Sequence, residues 1–230
     1  MRRWRGENHR TWFGEIQIFN FKFMKIIPAV LVKTYEEFKN MIRKIEPYTD
    51  LVHLDIADGG FVPNKTIDGY EELMKVETKL DFEVHLMINN PGSVIDKWLK
   101  TKAVRYLIHS ESTDEIDALI DQFKENGKEF GCVLNPETEY SVIEPYLDRV
   151  DLVQFMTVDP GFYGSPFLPE VLEKIRSFHV KYPSKIIQVD GGINAETVEL
   201  AEKAGASRAA AGSYIFKSSD IGKALEALNV

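Results

Sequence analysis

The chain has 230 residues, 44% hydrophobic and 28% charged, with a formal net charge of -8. That length can bury one core without staples, and the acidic balance excludes an electrostatic footprint for nucleic acid. The single Cys132 excludes a disulfide framework, and no apolar run reaches the roughly 18 residues of a membrane span, so a cytoplasmic protein is expected.

Residues 1–23 stand apart. They are basic (Arg2, Arg3, Arg5, Arg10) and aromatic (Trp4, Trp12, Phe13, Phe19, Phe21, Phe23), without a helical or strand period. Glu7, Asn8, His9 and Glu15 interrupt what would have to be the apolar part of a secretory signal. This stretch is expected to be an extension, disordered or absent altogether if translation starts at Met24, leaving 24–230 as the folded domain.

From Met24 onward, short β-branched runs alternate with longer amphipathic segments, the pattern of βα units. Strands are expected at 26–31, 51–57, 82–87, 103–109, 128–134, 152–156, 186–189 and 208–211, with helices at 36–46, 114–126, 168–181 and 195–204 among the connections. Asn194 and Thr113 stand where N-caps belong, and Gly127 and Gly205 stand just past helix ends. Eight such units, with no GxGxxG after the first, predict an α/β fold made of a single TIM (β/α)8 barrel. Its functional groups then belong at the C-terminal strand ends.

At those ends, His53 and Asp55 share one face of a strand by their i, i+2 spacing, while Val52, Leu54 and Ile56 face the other way. A lone His on an apolar strand is more often a hydrogen-bonded core residue. Here the next strand adds His85 and Met87, and the seventh ends in Asp190. Two imidazoles and two carboxylates converging on one barrel mouth are costly unless something satisfies them, and a divalent cation does so; Zn, Fe, Mn and Co all suit the set.

The segments 53–64 (HLDIADGGFVPN), 84–87 (VHLM), 156–162 (MTVDPGF) and 189–193 (VDGGI) resemble, in order and spacing, the signature segments of the ribulose-phosphate 3-epimerase family. The resemblance runs from about Met24 to the C-terminus. It implies one divalent metal ion held by His53, Asp55, His85 and Asp190, and a small sugar phosphate as substrate. It also implies interconversion of D-ribulose 5-phosphate and D-xylulose 5-phosphate, with Asp55 and Asp190 as the acid and base pair, and a homo-oligomer. Met87 and Met156 would line the cavity beside the reacting carbon, although core filling explains them equally well.

Phosphate sites of such barrels usually follow strands seven and eight. Gly191, Gly192, Gly212 and Ser213 fall there, and Gly161 and Gly164 follow strand six; any one glycine pair is more often a turn. Asp58, Asn64 and Asn135 read as turn residues, His109 as a strand-end hydrogen-bonding group, and His179 as solvated. The chain departs from the family pattern at Ala29, Val32, Ala57 and Ser165, with Ala57 expected to leave the cavity wider. Alternatives are therefore a different ketose-phosphate 3-epimerase, acting for example on allulose 6-phosphate, or a non-catalytic sugar-phosphate binder. A decarboxylase of the orotidine-phosphate type would need a lysine that 55–58 lacks.

Overall fold

A computed structural model describes residues 24–229; the expectations for 1–23, and His9 with them, lie outside the described residues. Eight strands form the sheet: β1 (Lys25–Val30), β2 (Leu51–Ala57), β3 (Asp81–Met87), β4 (Arg105–His109), β5 (Glu129–Leu134), β6 (Leu152–Met156), β7 (Ile186–Asp190) and β8 (Arg208–Ala211). All pair in parallel with the next in sequence, and β8 closes on β1, giving the expected (β/α)8 barrel. Around it run α1 (Tyr35–Ile45), α2 (Tyr70–Lys75), α3 (Ile95–Trp98), α4 (Ile116–Glu125), α5 (Val171–Lys181), α6 (Ala195–Lys203), α7 (Ser213–Phe216) and α8 (Ile221–Glu226). Between β5 and β6 a 3-10 stretch, Tyr140–Tyr146, stands in place of an α-helix, and Pro145 inside it disfavours the α form.

Alternation along the strands sorts the core into two shells. Val52, Leu54 and Ile56, with Val84 and Leu86, join the large cluster against helix residues such as Phe38, Ile42 and Ile45. The inward shell is smaller, with Leu107, Val133, Leu152, Met156 and Val158 in contact. The barrel interior also carries polar groups: His53, Glu83, His85, Gln154 and Gln188 are fully buried, a cost that persists because each finds partners.

Helix α6 starts as expected, with Asn194 Oδ1 accepting from the N–H groups of Glu196 and Thr197, while Thr197 Oγ1 accepts from Asn194 N. Helix α4 begins two residues later than 114. Thr113 caps a turn there, accepting from Glu115 N, and an eclipsing 3-10 segment at Ser110–Ser112 precedes it. Helix α5 likewise begins at Val171 rather than 168. His179, expected in solvent, is half-buried; it packs so closely on Gly205 that a Cβ there would fall 2.4 Å from its ring.

Candidate metal and proton-transfer site

Strand register brings the site together. In the β2–β3 ladder Asp55 pairs with His85 and His53 with Glu83, so all four point into the barrel from adjacent strands. Asp190 arrives at the end of β7, opposite Met156 of β6 and three strands around the closed barrel from β2. His53 Nε2 lies 3.2 Å from Asp55 Oδ1 and 3.4 Å from Asp190 Oδ2, and His85 Nδ1 lies 2.9 Å and 3.3 Å from the same two oxygens. All four donor atoms fall within 4.8 Å of one another. Ligand atoms around a tetrahedral ion with bonds of about 2.1 Å stand about 3.4 Å apart. The His53, Asp55, His85 and Asp190 set therefore fits a divalent metal ion.

The remaining atoms of the four residues are held by an outer shell. His53 Nδ1 donates to Glu83 Oε1 at 2.7 Å, and Glu83 is in turn paired with Arg105 at 2.5 Å and accepts from Gln188 Nε2 at 2.7 Å. Gln154 accepts from Gln188 and donates to Asp190 Oδ2 at 3.1 Å. On the other side His85 Nε2 meets His109 Nε2 at 2.9 Å, and His109 Nδ1 points toward Glu111, 3.4 Å away. These bonds occupy the ring nitrogens that face away from the cluster, leaving His53 Nε2 and His85 Nδ1 as the ligating atoms.

Electrostatics follow from this wiring. Burial would push the His53 imidazole down, but the carboxylates of Asp55 and Asp190 outweigh it and raise its pKa well above the usual value; His85 is raised in the same way. Burial would raise Asp190, yet the two imidazoles hold it far below the carboxylate range. His109 behaves oppositely: burial drives it down to about 4, so it stays neutral and can accept the His85 N–H. Replacing Glu83 by Ala would leave His53 Nδ1 without its acceptor and Arg105 with only Glu129 as its carboxylate partner. Urea unfolding of Glu83→Ala is expected to show a loss of about 3–5 kcal/mol, the usual cost of breaking a buried pair.

Two carboxylate oxygens remain outside this wiring. Among the described residues no hydrogen bond reaches Asp55 Oδ2 or Asp190 Oδ1, and both residues line the cavity at the barrel mouth. The cavity, about 50 Å³, is also lined by Met87, Met156, Gly161, Gly164, Gly191, Gly192, Gly212 and Ser213, so every residue singled out there in the sequence reaches it except the more deeply buried His53 and His85. Gly191 and Gly192 have φ of 110° and 66°, and a Cβ at Gly191 would fall 2.3 Å from Val158, so local geometry alone demands glycine there. Ala57 is not among the residues lining this cavity; it is buried in an apolar cluster with Val62 and Met87, against which Phe61 packs.

The ribulose-phosphate 3 epimerase family model matches residues 25–216. The chain belongs to that family. It is 38% identical over 209 residues to a ribulose-phosphate 3-epimerase of Bacillus subtilis, covering 88% of this chain and 96% of the relative. It is 37% identical to the cytoplasmic isoform of rice, over 89% of this chain and 92% of that one. It is also 34% identical to the Schizosaccharomyces pombe enzyme, over 84% and 86% respectively. Among solved structures the family member resembles a 3-hexulose-6-phosphate synthase with a TM-score of 0.68 at 18% identity, over 89% of this chain and 98% of that one. An orotidine 5'-phosphate decarboxylase from Pyrococcus horikoshii follows at 0.64 and 15%, over 88% and 96%; at such identities the likeness speaks for the fold.

The sequence alone marks His109 only as a strand-end group and does not single out Glu83, Gln154, Gln188 or Tyr163. Glu83 and Gln154 carried a usable signal, since each sits two residues before a strand-end site residue, His85 and Met156, and so shares its inward face.

Proposed function

We propose that this epimerase-family chain interconverts D-ribulose 5-phosphate and D-xylulose 5-phosphate by proton transfer at carbon 3. The observation that carries the reading is the pair Asp55 and Asp190: each turns one oxygen to the histidines and leaves the other free at the cavity. Inversion at a carbon beside a carbonyl needs a proton removed from one face and another delivered to the opposite face. Asp55 on β2 and Asp190 on β7 reach the mouth from different sides of the barrel. One free oxygen takes the carbon 3 proton as the carbonyl oxygen gains negative charge. The ene-diolate so formed collects its new proton from the other aspartate, which acts from its carboxylic acid form and ends as the carboxylate.

A divalent metal held by His53, Asp55, His85 and Asp190 would supply Lewis-acid stabilisation of the charge that develops on the substrate oxygens. Met87 and Met156 are buried at the cavity wall and keep water from the planar intermediate. The glycine-rich loops and Ser213 form the end that takes the phosphate dianion, and the catalytic unit is the barrel from Met24 onward. A cytoplasmic location and a homo-oligomer belong to the same reading. Among the described residues, no helix is long and apolar enough to cross a membrane.

Comparing kcat/KM for D-ribulose 5-phosphate and D-allulose 6-phosphate tests the substrate assignment. The pentulose is expected to lead by at least about tenfold, and a lead for the hexulose would transfer the assignment to that substrate. Inorganic phosphate and sulfate are expected to compete with substrate, raising apparent KM without lowering kcat; absence of inhibition by either would remove the phosphate end from the reading.

A further inference from the structure

The loop 160–165 that follows β6 lines the cavity and is fastened on two sides. The Tyr163 hydroxyl accepts the N–H of Leu31 at 2.8 Å and donates to the carbonyl of Ala29 at 2.7 Å, so both its hydrogen-bonding roles are spent on the end of β1. The Tyr163 ring lies on Gly212 so closely that a Cβ there would fall 2.3 Å from Cε1. On the opposite side Asn64 Nδ2 donates to the carbonyl of Gly161 at 2.6 Å. The fastened segment is bounded by two left-handed glycines, Gly161 and Gly164 with φ of 108° and 80°, and its neighbour Phe162 is 53% exposed. Both bonds reach backbone groups more than 130 residues away, so they tie the loop to the end of β1.

We propose that Tyr163 is a positioning residue whose hydroxyl straps the loop shut across the barrel mouth, so that breaking its two bonds to Ala29 and Leu31 is what admits and releases the ligand. This rests on the reading of the cavity as the substrate site, but the strap itself can be observed without any substrate. Closed, the loop keeps Gly161 and Gly164 against the cavity that Asp55 and Asp190 share. Opened, it leaves that cavity to solvent. A strap of this kind favours the closed form with and without ligand, so it slows entry and exit together and changes affinity little.

Tyr163→Phe is the clean test, since it deletes both hydrogen bonds and keeps the ring on Gly212. Hydrogen–deuterium exchange at the Leu31 amide is expected to quicken about tenfold in the variant, with the amides of β2 and β3 unchanged. Phosphorus NMR line shapes of inorganic phosphate are expected to show association and dissociation both faster by about tenfold, with Kd moving less than about threefold. An unchanged Leu31 amide overturns the strap, whether or not the protein turns over D-ribulose 5-phosphate. Faster dissociation alone, with Kd rising in step, makes Tyr163 an ordinary ligand contact and overturns it as well. If phosphate does not bind, the reading of the phosphate end fails and the Leu31 amide alone decides the strap.

Discussion

Asp55→Asn and Asp190→Asn are each expected to lower epimerase turnover by at least about a thousandfold, measured as xylulose 5-phosphate formed from ribulose 5-phosphate. The amide keeps the shape of the carboxylate and an oxygen facing the histidines, but its nitrogen cannot accept a proton from carbon. Both residues are nearly buried, 7% exposed each, so no bulk-solvent base substitutes. The two-base arrangement also makes a finer forecast. Each variant retains the base on one face, and is expected to exchange the carbon 3 hydrogen of one epimer with solvent without inverting it. The two variants should retain opposite epimers. Near-normal turnover by either variant refutes the assignment, and loss of exchange with the same epimer in both would mean that one carboxylate does all the proton transfer.

Stripping the protein of metal is expected to lower turnover by about a thousandfold or more while leaving the fold intact. The charges of the described structure explain both halves. In the wiring given above, imidazolium His53 and His85 with Arg105 balance Asp55, Asp190 and Glu83. The protons on His53 Nε2 and His85 Nδ1 occupy the place that a divalent ion needs, so a divalent cation exchanges for two protons at constant charge. Because the carboxylates outweigh burial and raise the pKa of both imidazoles, these protons are held to higher pH than on a free imidazole. Metal affinity is therefore expected to climb with pH, by up to about a hundredfold per unit, until the raised imidazole values are passed. Calorimetry of metal binding in buffers of differing ionisation heat should count about two protons released; release of none would contradict the wiring.

Much of this arrangement was legible in the sequence because strand alternation is a strict rule. His53 and Asp55 had to share a face, and the barrel rule put that face at the mouth. Strand limits agreed to within one or two residues for the same reason, apolar β-branched runs being bounded by polar ones. What stayed hidden lies across the barrel or in loops. No spacing in β3 says that Glu83 meets Gln188 of β7, 105 residues away. His109 looked like a strand-end group because its partner His85 belongs to a neighbouring strand and Glu111 to the 3-10 turn after its own. Helix starts shifted at α4 and α5 because 3-10 and turn segments take up residues that helical periodicity alone would include. The sequence around Asn64 points to turn chemistry, and its bond to Gly161 appears only once the two loops meet.

Metal-assisted proton transfer at carbon 3 of a pentulose phosphate leaves an isotopic trace. Its most direct test follows deuterium from D₂O into carbon 3 of D-ribulose 5-phosphate, with metal-loaded and chelator-stripped protein side by side. Wash-in together with xylulose 5-phosphate formation is expected of the loaded protein, and at least about a thousandfold less of both from the stripped one. No exchange with either preparation, or equal exchange with both, would contradict it.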